Sequence, residues 1–152
     1  PQRQEIVERP TGASITSSAT DLVLVCSPRS GLVNEQVKNA DVADYIRSAL
    51  IGELELVGAY SPDSPVTISG NLVEISYHFH RVAGLASTGG TWEVSIELVS
   101  PNAAKFIFRE AYSFETQYGP SQCEDMRKHF MPSVQYFIEK MISHPDFRTL
   151  VG

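Results

Sequence analysis

The sequence predicts a two-layer α+β sandwich in the order β-α-β-β-β-α, with a mostly antiparallel sheet covered on one face by two helices. Three observations predict it. Apolar and polar residues alternate along three consecutive segments between Val66 and Phe114, so each segment offers one apolar and one polar face. Two longer stretches, Asn39 to Val57 and Ser121 to Ser143, carry apolar residues at helical spacing. The chain has 152 residues, which suits one core, so both helical stripes must turn to the apolar side of the sheet.

Residues 1–20 are rich in Gln, Ser, Thr, Gly and Pro and show no apolar period. They read as a flexible tether, leaving 21–152 as a single domain. Asp21-Leu-Val-Leu-Val-Cys26 is a short apolar run stopped by Pro28 and Gly31, the pattern of a buried strand. From Asn39 the period becomes helical through Val42, Ile46, Leu50, Leu54 and Val57, with Asn39 or Asp41 as the N-cap and Gly58 as the stop.

After the Ser61-Pro62-Asp63-Ser64-Pro65 turn, Val66, Ile68 and Leu72 share one parity and Val73, Ile75, Tyr77 and Phe79 the other. A strand whose apolar face changes parity needs an extra residue, so a β-bulge or bend is expected near Gly70 to Val73. Gly84 to Gly90 forms a hairpin loop. Trp92, Val94, Ile96 and Leu98 then alternate with Thr91, Glu93, Ser95 and Glu97, and Phe106, Phe108, Tyr112 and Phe114 oppose Lys105, Arg109, Ser113 and Glu115. Together these strands read as an antiparallel meander. In the last stretch Met126, Phe130, Val134, Phe137, Ile138, Met141 and Ile142 form a helical stripe. Pro132 predicts a kink or break between Phe130 and Ser133, and His144-Pro145 ends the helix.

Twelve Lys and Arg against eighteen Asp and Glu give a net charge of -6. Charges balance within residues 1–20 and within 121–152, so the whole deficit lies between them. Nucleic-acid binding needs Lys and Arg grouped on one face to displace phosphate counterions, and here they are scattered among more numerous acids. The same distribution speaks against a polybasic membrane patch, and no apolar run approaches the roughly 18 to 20 residues that cross a bilayer. The chain opens on Pro1, so it is expected to be the processed or trimmed form of a longer one, with any targeting segment out of view.

Candidate chemistry is sparse. His78 and His80 lie two apart on a strand and point to the polar sheet face with Glu74 and Ser76. They are a weak metal candidate, because a site needs three or four convergent ligands and only Glu93 or Glu97 is placed to add one. The plainer reading is two solvated strand histidines. Glu93 and Glu97 share a wet face, where ion pairing with Lys105 or Arg109 is simpler than a split of acid and base roles. Gly84, Gly89 and Gly90 lack the Lys-Ser/Thr and the following helix of a phosphate loop. Nothing around Cys26, Cys123 or the N-terminal serines matches a nucleophile motif. The two cysteines fit no zinc or CxxC spacing; they read either as separate buried thiols or as a disulfide closing a loop of about 100 residues, worth ~4 kcal/mol on the chain-entropy model. The aromatic residues from Tyr77 to Phe114 read as core under the helices.

The stretch NADVADYIRSALIGELELV followed by VTISGNLVEISYHF resembles the helix-then-strand unit of small bacterial envelope lipoproteins whose domain is similar to the N-terminal domain of TolB and the core of CsgG. The ending FMPSVQYFIEKMISHPDFRTLV is similar to the C-terminal helix and trailing segment of uncharacterised lipoproteins of that kind. Together they cover about half the chain. The resemblance implies no shared active site, no catalytic residue and no cofactor. It implies a periplasmic domain tethered to the outer membrane by a lipid anchor outside the given chain, non-enzymatic, with an envelope protein as partner. The contact would use a sheet edge, the Gly84–Gly90 loop, or the polar face carrying His78, His80, Glu93, Glu97 and Arg109. The alternative is a small-ligand-binding domain with a pocket between the sheet and the kinked final helix near Pro132.

Overall fold

The structure is a computed structural model that describes residues 9–26, 33–81, 87–101, 104–117 and 122–151. Its elements are β1 (Ala13–Ser17), β2 (Leu22–Cys26), β3 (Val33–Val37), α1 (Asn39–Leu56), β4 (Ile68–Arg81), β5 (Ser87–Val99), β6 (Lys105–Gln117), α2 (Gln122–Lys128), α3 (Phe130–Ser143) and α4 (Pro145–Val151). Four strands form the main sheet in the order β1-β4-β5-β6. β1 runs parallel to β4, and the two β4–β5 and β5–β6 pairings are antiparallel. Helices pack on the sheet as an α+β sandwich, and one buried cluster joins Val42, Ile46, Leu50 and Leu54 of α1, Val134, Ile138 and Met141 of α3, and the inner sheet residues Leu72, Trp92, Ile96 and Phe108.

The alternation along β5 and β6 holds as expected. Trp92, Val94, Ile96, Leu98, Phe106 and Phe108 are buried while Glu93, Lys105, Ile107 and Arg109 are exposed. In β4 the register slips between Leu72 and Glu74, within the expected interval. Val73 is the extra residue and turns out to solvent, so Ile68 and Leu72 before it and Ile75 after it all face the core.

Residues 13–17 correct the reading of 1–20 as a tether. β1 lies against β4 with Ile15 opposite Gly70, and Ile15 is buried. Thr11 fastens the entry to this strand, its N–H and Oγ1 both donating to Val66 O at 2.8 and 3.0 Å. Only Ala13 and Ile15 are apolar in this strand, too few for a periodic signal. β2 also departs from expectation: it pairs with β3, an unexpected strand, in a separate two-stranded sheet. The polar centre of β3, Asn34-Glu35-Gln36, hides its strand character.

α1 starts where expected, but neither Asn39 nor Asp41 is the cap. Lys38 holds the N-cap position without a side-chain bond, and the Asn39 N–H donates to Asp21 Oδ1 at 3.0 Å. A carboxylate from the start of β2 therefore does the capping, favourably placed at the positive end of the helix dipole. Gly58 ends the helix at φ 72°, letting Gly58 N–H and Ala59 N–H return to Glu55 O and Leu54 O. Val57 is 56% exposed and so lies outside the buried stripe.

The final helix is three helices. Its break falls at His129, one residue before the expected interval, since Pro132 sits in the first turn of α3, where a missing N–H costs nothing. His144 ends α3 as expected, but Pro145 also opens α4, the position that suits proline best in a helix. Phe147 and Leu150 of α4 are fully buried at the end of the core.

Candidate functional site

With helices on one side of the sheet, the other side is left to solvent among the described residues. Register places Ser76 opposite Glu93 and His78 opposite Thr91, and Glu93 opposite Ala111 and Ser95 opposite Arg109. This gathers the outward side chains of three strands on one surface. His78 Nε2 lies 3.3 Å from Glu93 Oε1 and 3.2 Å from Ser76 Oγ, and Ser76 Oγ reaches the same carboxylate oxygen at 3.5 Å. Farther along, Lys105 Nζ and Glu97 Oε2 are 3.2 Å apart, and Thr91 and Ser113 share a hydroxyl bond of 2.9 Å.

The trio contains a hydroxyl, an imidazole and a carboxylate, yet its geometry is not that of a nucleophile relay. A relay needs the acid on one ring nitrogen and the hydroxyl on the other, so that a proton taken from oxygen is balanced across the ring. Here serine and glutamate both address Nε2. The arrangement is a surface hydrogen-bonding cluster, and its ion pairs are half exposed and so worth little in stability. Among the described residues no three His, Cys, Asp or Glu side chains converge on a metal position. His80 sits in β4 opposite Gly89, but its side chain lies outside the described residues. The same holds for the side chains of Cys26, at the end of β2, and Cys123, in α2. Of the expected loop Gly84–Gly90, residues 84–86 lie outside the described residues, and Ser87 to Gly90 belong instead to strand β5, where they pair with β6.

Across the sheet, Trp92, Phe106 and Phe108 lie in the core and Tyr77, Tyr112 and Phe114 pack against it as expected, whereas Phe79, expected there too, is exposed near the end of β4. Tyr77 contacts Phe79, Trp92 and Phe114, with ring centroids 5.0, 4.8 and 6.1 Å away, and Phe114 stacks on His129 at 3.9 Å. The Tyr77 hydroxyl is buried with no hydrogen-bond partner among the described residues. Burial, and then the charge of Asp125, push its pKa well above the ordinary phenol value.

A cavity of about 180 Å³ opens between the ends of the β2–β3 hairpin, α1, the sheet and the α2–α3 break. Leu22, Val37, Val42, Ile75, Trp92 and Phe130 form its apolar wall, and Arg127 completes it. The Trp92 indole N–H is already bonded to Met126 O at 3.2 Å. The cavity lies beside the helix break, close to where the alternative reading placed a pocket, but two of its walls were not foreseen. Val37 belongs to the unexpected strand β3, and Val42 comes from α1. Spacing did place Val42 and Phe130 on apolar faces; nothing in the sequence marks the hairpin that brings Leu22 and Val37 against them.

No family model matches the chain, and no curated protein matches it. Solved structures do. The chain is similar to a minor lipoprotein from Acinetobacter baumannii, with a TM-score of 0.53 and 9% identity over 92% of this chain and 94% of that one. It is also similar to rare lipoprotein B from Shewanella oneidensis, with TM-score 0.45 and 12% identity over 84% and 86% of the two chains. A third likeness is to the uncharacterized lipoprotein B from Nitrosomonas europaea, with TM-score 0.46 and 10% identity over 93% and 86%. These neighbours are bacterial lipoproteins. At such identity the Acinetobacter structure shows a shared fold and nothing finer, and these likenesses give no support to the resemblance to TolB and CsgG.

Proposed function

We propose that this chain is a non-enzymatic domain of a cell-envelope lipoprotein, an assembly or interaction module that docks an envelope protein. In this reading it is periplasmic and held at the outer membrane by a lipid anchor outside the given residues. The observation that carries the proposal is the uncovered sheet face. Three long strands present Ser76, His78, Glu93, Glu97, Lys105 and Arg109 together, with both signs of charge and an exposed Ile107 among them. Such a face offers hydrogen bonds and charge matching, around an open depression of about 400 Å³ bordered by Glu74, Glu93, Ser95 and Arg109. The fold shared with the Acinetobacter lipoprotein supports the envelope part of the reading.

The test is site-specific photocrosslinking in intact cells, with the full-length protein carrying a photoreactive residue at Glu93 or Arg109. Controls carry it at Leu56 or Met131, which are exposed on the helices. An adduct with one envelope protein from the sheet positions alone supports the proposal. Equal adducts from both sets of positions, or none from the sheet, overturn it. Feeding the cells an alkyne fatty acid tests the anchor separately: an unlabelled full-length protein removes it.

A further inference from the structure

We infer that the cavity beside the α2–α3 break is a binding site for a small aromatic carboxylate, one ring in size, with its ring among the apolar side chains and its anionic end on Arg127. This goes beyond the docking role and uses none of the residues of the uncovered sheet face.

Size sets the first limit. An apolar cavity of about 150 Å³ takes up a single benzene ring, and this one measures about 180 Å³. That space admits one ring with a short substituent. Wall chemistry sets the second. Among the described residues, six of the seven lining side chains are apolar, and the indole N–H of Trp92 is occupied by Met126 O. A water needs about two to four polar partners to settle in a cavity, and among the described residues the wall supplies one polar side chain, Arg127, so an apolar occupant is favoured over solvent. Ring geometry sets the third. Trp92 and Phe130 are in edge-to-face contact at 64° with centroids 5.2 Å apart, so a guest ring lying against the pair can meet both an edge and a face, the contacts that aromatic pairs prefer.

Arg127 supplies the polar end. Among the described lining residues it is the exposed one, while Trp92 is buried and Phe130 half-buried, which puts its guanidinium at the mouth and the indole inside. A guanidinium has five donors in a planar fork, so it can grip a carboxylate with two of them while keeping a protein partner on the others. An apolar chamber with one cation at its mouth selects amphipathic anions over neutral molecules of the same shape.

The experiment uses benzoate as the probe and benzyl alcohol as its neutral analogue, read by NMR through the indole N–H of Trp92, the only tryptophan in the chain. Benzoate is expected to give a saturable shift with a Kd below about 1 mM. Arg127→Gln should weaken benzoate about tenfold, which is about 1.4 kcal/mol, and leave benzyl alcohol within about twofold. Val37→Phe, which fills the cavity from the hairpin side, should abolish both. Two-dimensional spectra check that this variant is folded, and Arg127→Gln on the protein surface decides the question if it is not. The inference falls if neither probe saturates up to about 10 mM, if Arg127→Gln weakens both probes equally, or if folded Val37→Phe still binds. None of these outcomes touches the sheet-face proposal, which the crosslinking decides separately.

Discussion

Replacing Gly90 with alanine tests the packing of the aromatic cluster where β5 lies between β4 and β6. A Cβ built at Gly90 would stand 1.8 Å from Tyr77 Oη, 2.6 Å from Tyr77 Cζ and 2.9 Å from Phe114 Cζ. Carbon contacts settle at about 3.5–4.0 Å, so the Tyr77 ring would have to withdraw by more than 1 Å. It has little space to do so, wedged among Phe79, Trp92 and Phe114. Overpacking of this kind costs ~1–3 kcal/mol, and two displaced rings place this case in the upper half of that range. Without the clash, alanine would stabilise the chain by ~0.4–1 kcal/mol through the unfolded state, so the sign of the change is itself diagnostic. The assay is urea denaturation in a double-mutant cycle with Tyr77→Leu, which removes both the hydroxyl and Cζ. The cost of Gly90→Ala should fall by ~1 kcal/mol or more in that background, with a remainder from Phe114. A neutral or stabilising Gly90→Ala, or the same cost in both backgrounds, would refute the packing argument.

Tyr77→Phe should be neutral or slightly stabilising, because it deletes a buried hydroxyl that has no partner. Since the native pKa of that phenol is raised, its ionisation favours the unfolded chain, leaving stability unchanged below the unfolded value of about 10 and lowering it as pH climbs beyond that. Wild-type stability should therefore decline more steeply in alkaline denaturation series than that of Tyr77→Phe, and parallel curves would count against the assignment. Phe147→Ala should cost ~3–5 kcal/mol by urea denaturation, since the ring is fully buried; a loss under ~1 kcal/mol would mean that α4 is not part of the core. Glu93→Gln breaks an exposed pair with His78 and should shift stability by less than ~1 kcal/mol, whereas a larger loss would point to a structural role for the trio.

The elements legible from sequence are those whose periodicity is long and carried by large side chains. β4, β5, β6, α1 and α3 each extend over 13 or more residues, and even the bulge at Val73 can be read from a parity change. The elements that escape are short or depend on distant partners. β1 contributes one Ile on a sheet edge, and β3 has a polar centre that pairing with β2 makes extended. α4 follows a proline that reads equally as a stop and as a first helical residue. The cap of α1 could not be foreseen because the carboxylate comes from Asp21, 18 positions away. The polar sheet face was legible because alternation fixes which side chains share it, although the meeting of Ser76, His78 and Glu93 on one ring nitrogen required the register. The cavity was half legible: the helix break marks its place, while the hairpin that walls it gives no sequence signal.

The sheet-face account is tested most directly by accessibility inside the cell. Single cysteines at Thr91 and Ser113 on the uncovered face, and at Leu56 and Met131 on the helices, would be challenged with a maleimide in the permeabilised envelope and again in purified protein. The account predicts that Thr91→Cys and Ser113→Cys are shielded in the envelope and fully labelled once purified, while the helix positions label alike in both. Full labelling of the sheet positions in the envelope would contradict it.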